Sequence, residues 1–262
     1  MMRSLSTAGT GMVAQQHNLD VIANNLANVN TTGFKTQRAE FQDVMYQTFR
    51  ASGATVSQGT QIPQSTQVGL GSIFIANSTN FNQGALQNTG NPLDLAVNGE
   101  GFFQVERPDG SIAYTRDGSF KRDSNGLVVT NDGYPLIPNI TIPAEAKAIT
   151  ISPNGQFSVV LEGQDTPQSI GTLQLYLFPN PGGLTRLGQN LYQSGGASGD
   201  AIAANPGSGG AGLVQSGMVE GSNVTIVDEM VRMILAQRAY EVNSKAIQTA
   251  DEMLGVLNQL KR

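Results

Sequence analysis

The stretch IVDEMVRMILAQRAYEVNSKAIQTADEML, residues 226–254, decides how the rest of the chain is read. Ile226, Met233, Tyr240, Ile247 and Leu254 recur every seventh residue, with Ala236, Ala250 and Leu257 on a companion row. Apolar residues at alternating steps of three and four make a coiled-coil seam, because seven residues are close to two helical turns. Neither Gly nor Pro occurs from Ser222 to Leu254, and Gly221 breaks the chain beforehand. Asn223 reads as the N-cap, and Thr225 with Asp228 as a capping box. A helix of about 35–38 residues would be roughly 50–57 Å long at 1.5 Å per residue. The stripe widens near its start, where Val227, Met230, Val231, Ile234 and Leu235 join it. A few hundred Å² of such surface left in water forfeits many kcal/mol at about 25 cal/mol per Å². The pattern therefore predicts self-assembly, with packed helices inside.

The other end repeats the signal. Leu5, Met12, Leu19 and Leu26 are spaced by seven, with Ala8, Ile22 and Val29 on the interleaved row and Gln15 interrupting it. The helix should stop near Asn28, before a Gly33 able to take positive φ. Between the two helices the period changes. Pro108-Asp109-Gly110, Asp117-Gly118, Asn125-Gly126 and Asp132-Gly133 punctuate short β-prone runs, the pattern of antiparallel hairpins. Strands are expected at 102–105, 127–130, 148–151, 156–161 and 172–178, and a Gly-rich loop at 193–212. The fold class is α+β. Long coiled-coil-like terminal helices pair as one domain, and an antiparallel β-rich domain is inserted between them.

Composition removes most chemistry. The chain has 262 residues, no Cys and a single His (His17), which excludes thiolate nucleophiles, disulfides and multi-His metal centres. Net charge is −5, so neither nucleic acid nor an anionic membrane is an expected partner. No run of about 18 apolar residues predicts a membrane span, and the N-terminus lacks the apolar core of a cleaved signal. Gly207-Ser-Gly-Gly-Ala-Gly212 fits a nucleotide-loop spacing without the strand and helix that loop needs. Asp123-Ser-Asn125-Gly126 lacks the downstream Glu of a calcium loop. Paired carboxylates without Trp make a poor glycosidase. No catalytic residue, cofactor site or metal site is expected. The residues from Ala51 to Leu93 carry no charge at all. They read as a flexible linker or, given Val56, Ile62, Val68 and the run 71–76, as an extended arm ordered between subunits.

Four stretches carry a resemblance. IANNLANVNTTGFK (22–35) resembles the N-terminal signature of bacterial flagellar axial proteins, the rod and hook group, and AQRAYEVNSKAIQTADEML (236–254) resembles their C-terminal helix. NPLDLAVNGEGFF (91–103) and YTRDGSF (114–120) are similar to the start of their β domain. The residues carrying the motif are Asn25, Leu26, Asn28, Thr32, Gly33, Phe34 and Lys35, then Gln237, Arg238, Tyr240 and Asn243. Ser6 departs from it, standing where relatives often have an aromatic. Length and a single β domain are most similar to the distal-rod branch, with proximal-rod or hook proteins as the alternative and a cell-wall hydrolase further off.

The resemblance implies residues 1–35 and 220–262 as an inner helical domain, 36–75 as a connecting arm and 76–219 as the outer domain. It implies a homo-oligomeric helical tube that carries torque and encloses an export channel. Implied partners are proximal rod proteins, hook protein, surrounding ring proteins, a rod-capping protein and the type III export apparatus. Export without signal cleavage into a basal body crossing the periplasm follows from the same likeness.

Overall fold

A computed structural model describes residues 2–50, 52, 55–57, 60–61, 64–162 and 166–260. One long helix stands at each end, and the middle is built from antiparallel strands. The chain forms two compact units. The first comprises residues 1–26, 37–78 and 225–262, and the second residues 27–36 and 79–224.

In the first unit, helix α1 spans Met2–Ala27 and helix α2 spans Ile226–Leu260, 35 residues. Strand β1 (Gln37–Asp43) pairs with β4 (Ser72–Thr79). Strand β2 (Tyr46–Arg50) pairs antiparallel with β3 (Thr66–Gly69), placing Tyr46 opposite Gly69 and Gln47 opposite Val68. Thr55–Ser57 and Thr60–Gln61 pair with each other. The uncharged segment is thus largely strand where it is described. Ile62 and the side chain of Val56 lie outside the described residues.

The start of α2 corrects one expectation. Asn223 is not the cap. Its Oδ1 accepts from the Thr36 N–H (2.7 Å) and hydroxyl (2.8 Å), and its Nδ2 donates to the carbonyls of Asn80 and Asn82 (2.9 Å each). Those tertiary bonds occupy the whole amide. Thr225 caps instead: its carbonyl takes the first helical bond from Glu229 N–H (3.1 Å), and its hydroxyl donates to Asp228 (2.5 Å).

The second unit holds a five-stranded antiparallel sheet, with Leu136–Ile137, Phe103–Glu106, Ile112–Thr115, Leu191–Gln193 and Thr185–Gly188 in spatial order. A three-stranded sheet of 146–151, 156–161 and 168–172 adds to it. Leu95, Phe103, Phe120, Leu136, Phe157 and Leu175 fill one buried core. Phe102, Tyr114, Phe178, Leu184 and Tyr192 form an aromatic cluster beside it. Gly118 sits where a Cβ would meet the Leu95 carbonyl oxygen at 1.5 Å, so only glycine lets these segments close up. Two strand expectations need correction. The run 172–178 is two strands, because it changes partner: Gln168–Thr172 pairs with 156–159, and Leu175–Leu177 with Ile202–Ala204. That second partner lies inside the expected loop, where Ala201-Ile-Ala-Ala204 is a β-compatible run between glycine clusters.

Candidate assembly surfaces and a buried ionic clasp

Within the first unit the helices meet antiparallel. A Cβ on Gly11 would lie 2.9 Å from Asn243 Nδ2. Asn25 Nδ2 donates to Glu229 Oε2 (3.3 Å). Gly11 and Asn25 stand two heptads apart on α1, and so do Asn243 and Glu229 on α2, which fixes the register. Glu229 is buried and also meets Arg232 Nη1 at 3.3 Å. Asn25 reaches further: it donates to the Gln37 carbonyl (2.8 Å) and accepts from the Gln37 N–H (2.9 Å), pinning the first residue of β1.

Small and polar side chains therefore make the close contact. Ala14, Val21, Ile22, Asn25, Glu229, Ala236 and Ala250 are buried. Of the seam residues, Leu5, Met12, Leu19, Leu26, Met233, Ile247 and Leu254 are half-buried, while Ile226 and Tyr240 are 49% and 42% exposed. The Leu257 side chain lies outside the described ones. Gln237 and Arg238 are exposed, and Arg238 pairs with Glu241 at 2.8 Å.

The rest of the N-terminal motif belongs to the second unit. Asn28 accepts from Thr31 N–H (3.1 Å) through its carbonyl. The Thr32 hydroxyl donates to Asp117 Oδ1 (2.9 Å). Gly33 has φ +67°, donates its N–H to the Glu220 carbonyl (2.7 Å), and would push a Cβ to 2.7 Å from the Asp117 nitrogen. Phe34 is buried under the Arg186 guanidinium, 5.5 Å from its ring centre.

Lys35 completes an ionic clasp. Its Nζ meets Glu220 Oε1 at 2.5 Å and the Asn82 carbonyl at 2.8 Å. Arg116 Nη1 meets Glu220 Oε2 at 3.3 Å, and Arg116 Nη2 donates to the Gly99 carbonyl at 2.8 Å. The Gly84 N–H also donates to Glu220 (2.9 Å). The side chains of Lys35 and Glu220 are fully buried, and Arg116 nearly so. Burial pulls Lys35 and Arg116 below their ordinary values, with Glu220 opposing in both cases. Sequence reading quoted Lys35 and Arg116 inside motifs but missed Glu220. The one available signal was scarcity: with charged residues at 13%, each is more often placed for a reason.

The arrangement holds surfaces together. Among the described residues no group of acidic, His or Cys side chains could hold a metal. Family models match along the chain: flagella basal body rod protein at 5–35, the D1 domain of flagellar hook protein FlgE/F/G at 96–159, and the flagellar basal body rod FlgEFG C-terminal region at 215–260. These define the class, an axial protein of the flagellar rod and hook. The chain is 51% identical to the flagellar basal-body rod protein FlgG of Borreliella burgdorferi, over the full length of both. It is 48% identical to that of Caulobacter vibrioides (99% of this chain, all of the relative) and 44% identical to that of Bacillus subtilis, over all of both. The chain belongs to the flagellar basal-body rod protein FlgG family.

Proposed function

We propose that this chain is a structural subunit of the flagellar distal rod, polymerising into a rigid helical tube that transmits torque and encloses an export channel. The observation that carries the reading is the uncovered apolar face of α2: Val227 is 73% exposed and Leu235 64% exposed in the lone chain. A helix whose stripe outlasts its intramolecular partner needs neighbours of its own kind.

In this reading the helices of the two ends, within 1–35 and 220–262, form the inner domain, while 27–36 and 220–224 fold with the second unit. Segment 36–75 is the connecting arm, and 76–219 faces outward. The half-buried seam residues Leu5, Met12, Leu19, Leu26, Met233, Ile247 and Leu254 complete their burial between subunits, together with exposed Ile226 and Tyr240. Proximal rod proteins, hook protein, ring proteins, a rod cap and the type III export apparatus are the partners, and the polymer crosses the periplasm. The role is mechanical rather than enzymatic.

Limited proteolysis of the purified monomer, read by mass spectrometry, tests this. Clipping at both ends with survival of a core near 79–224 supports helices that await assembly. Ends as resistant as the core would mean they are already satisfied, and the tube reading fails.

A further inference from the structure

Among the described residues of the first unit, two exposed apolar surfaces stand out. One is the ridge on the first turns of α2: Ile226, Val227, Met230, Val231, Ile234 and Leu235, each about half exposed or more. At 100° per residue these six lie on the arc opposite Glu229 and Ala236, the positions buried against α1. The intramolecular helix pair therefore cannot cover them. With its six side chains 49–73% exposed, the ridge is a contiguous apolar patch of the several-hundred-Å² class that marks interaction sites. Beyond Leu235 the same arc is mainly polar, through Arg238, Glu241 and Lys245, interrupted by exposed Val242. The ridge is about 15 Å long at 1.5 Å per residue.

The other surface is a groove of about 410 Å³ between α1 and β4, lined among others by Gly9, Thr10, Val13, His17, Ile73 and Phe74. No Asp, Glu, Lys or Arg lines it. Val13 and Ile73 stand exposed at its edge, and the His17 and Phe74 rings stack 4.9 Å apart inside it. Its α1 wall, from Gly9 to His17, is about 14 Å long at the same rise. Gly9 is the telling residue. Glycine within a helix is less favourable than alanine, yet among the described residues a Cβ there would meet nothing within 4 Å. No described residue calls for a glycine at that point; a body seated in the groove does.

We infer that the α2 ridge of one copy seats in the α1–β4 groove of the next. The inference rests on the self-assembly reading above and adds the pairing of surfaces. Ridge and groove match in length and in lacking charge. Two different surfaces on one chain make a heterologous contact, which propagates into an open helix unless it closes into a ring. Two ridges meeting face to face would instead give a closed dimer.

The absence of Cys makes the test direct. A chain carrying Val231→Cys and Ile73→Cys, polymerised and mildly oxidised, should give a ladder of multimers on a non-reducing gel. A mixture of the two single variants should stop at dimers, and either single variant alone should give none. Tubes seen by electron microscopy without a ladder overturn the pairing and leave the rod reading standing. No tubes from the wild-type chain overturn the rod reading itself. Gly9→Trp supplies an independent arm. It should keep the monomer's circular dichroism and thermal midpoint but lose polymer; polymerisation equal to wild type overturns the inference.

Discussion

Among the described residues, twenty-four large apolar side chains stand exposed; twenty are in the first unit, and four (Ile112, Leu187, Ile202 and Leu213) in the second. The second unit closes on a core of eighteen buried apolar residues, all its own. The first buries mainly small residues, such as Ala14, Ala39, Ala236 and Ala250, around one Asn–Glu contact. One chain thus holds a unit that is finished as a monomer and a unit that is not. Apolar burial is the main favourable term in both folding and association, so the deficit in the first unit is the driving force left for polymerisation.

The largest effect that would break this contrast lies in the clasp. Glu220→Ala leaves Lys35 and Arg116 buried without their shared carboxylate. Removing one partner of a buried ion pair costs about 3–5 kcal/mol. Urea unfolding of the second unit, followed by tyrosine near-ultraviolet dichroism, should show that loss. A change below about 1 kcal/mol would mean the core alone carries the unit.

Next come Leu19→Asp and Ile247→Asp, which place a carboxylate on each seam. An unpaired charge in a buried seam costs several kcal/mol. Sedimentation should find the variant protein monomeric, while the second unit melts as in the wild type. Tubes and motility at wild-type level would contradict the division of labour between the units.

Gly33→Ala is smaller and more local. The residue must hold φ +67° with a Cβ 2.7 Å from a backbone nitrogen. Strain of that kind costs on the order of 1–3 kcal/mol, and here it should lower the stability of the second unit without changing the length of α1 by circular dichroism.

How much of this was legible follows the same division. The helices and hairpins are local: heptads, and Asp-Gly or Asn-Gly turns, write them directly into neighbouring residues. The clasp is not local. Lys35 and Glu220 are 185 positions apart, and neither carries a mark of its partner. Asn223 escapes a local reading for the same reason, since a good capping residue is also a good tertiary hydrogen-bonder. The seam reading counted large apolar residues, whereas the close contact runs through Gly11, Asn25, Ala236 and Asn243. Helices approach most nearly where side chains are small, and a hydrophobic pattern does not score smallness.

The finest test of the contrast is alkaline pH, because the second unit buries phenols. Burial raises Tyr114, Tyr176 and Tyr192 above the ordinary tyrosine value, with Arg186 and Arg116 partly opposing at Tyr192. Above about pH 10 the unfolded chain releases these protons before the folded one, so it binds fewer and stability falls. Lys35 runs the other way. Between its lowered folded value and 10.5, the unfolded chain keeps a proton the folded chain has released, so stability rises with pH. Three phenols outnumber one amine once pH passes about 10, and the second unit should lose stability from there upward. Tyr192→Phe removes one of the two most buried of the three phenols. It should make that alkaline fall shallower in urea melts between about pH 9 and 11, with neutral-pH stability moved by less than about 1 kcal/mol. A slope equal to the wild type would place the titrating group elsewhere.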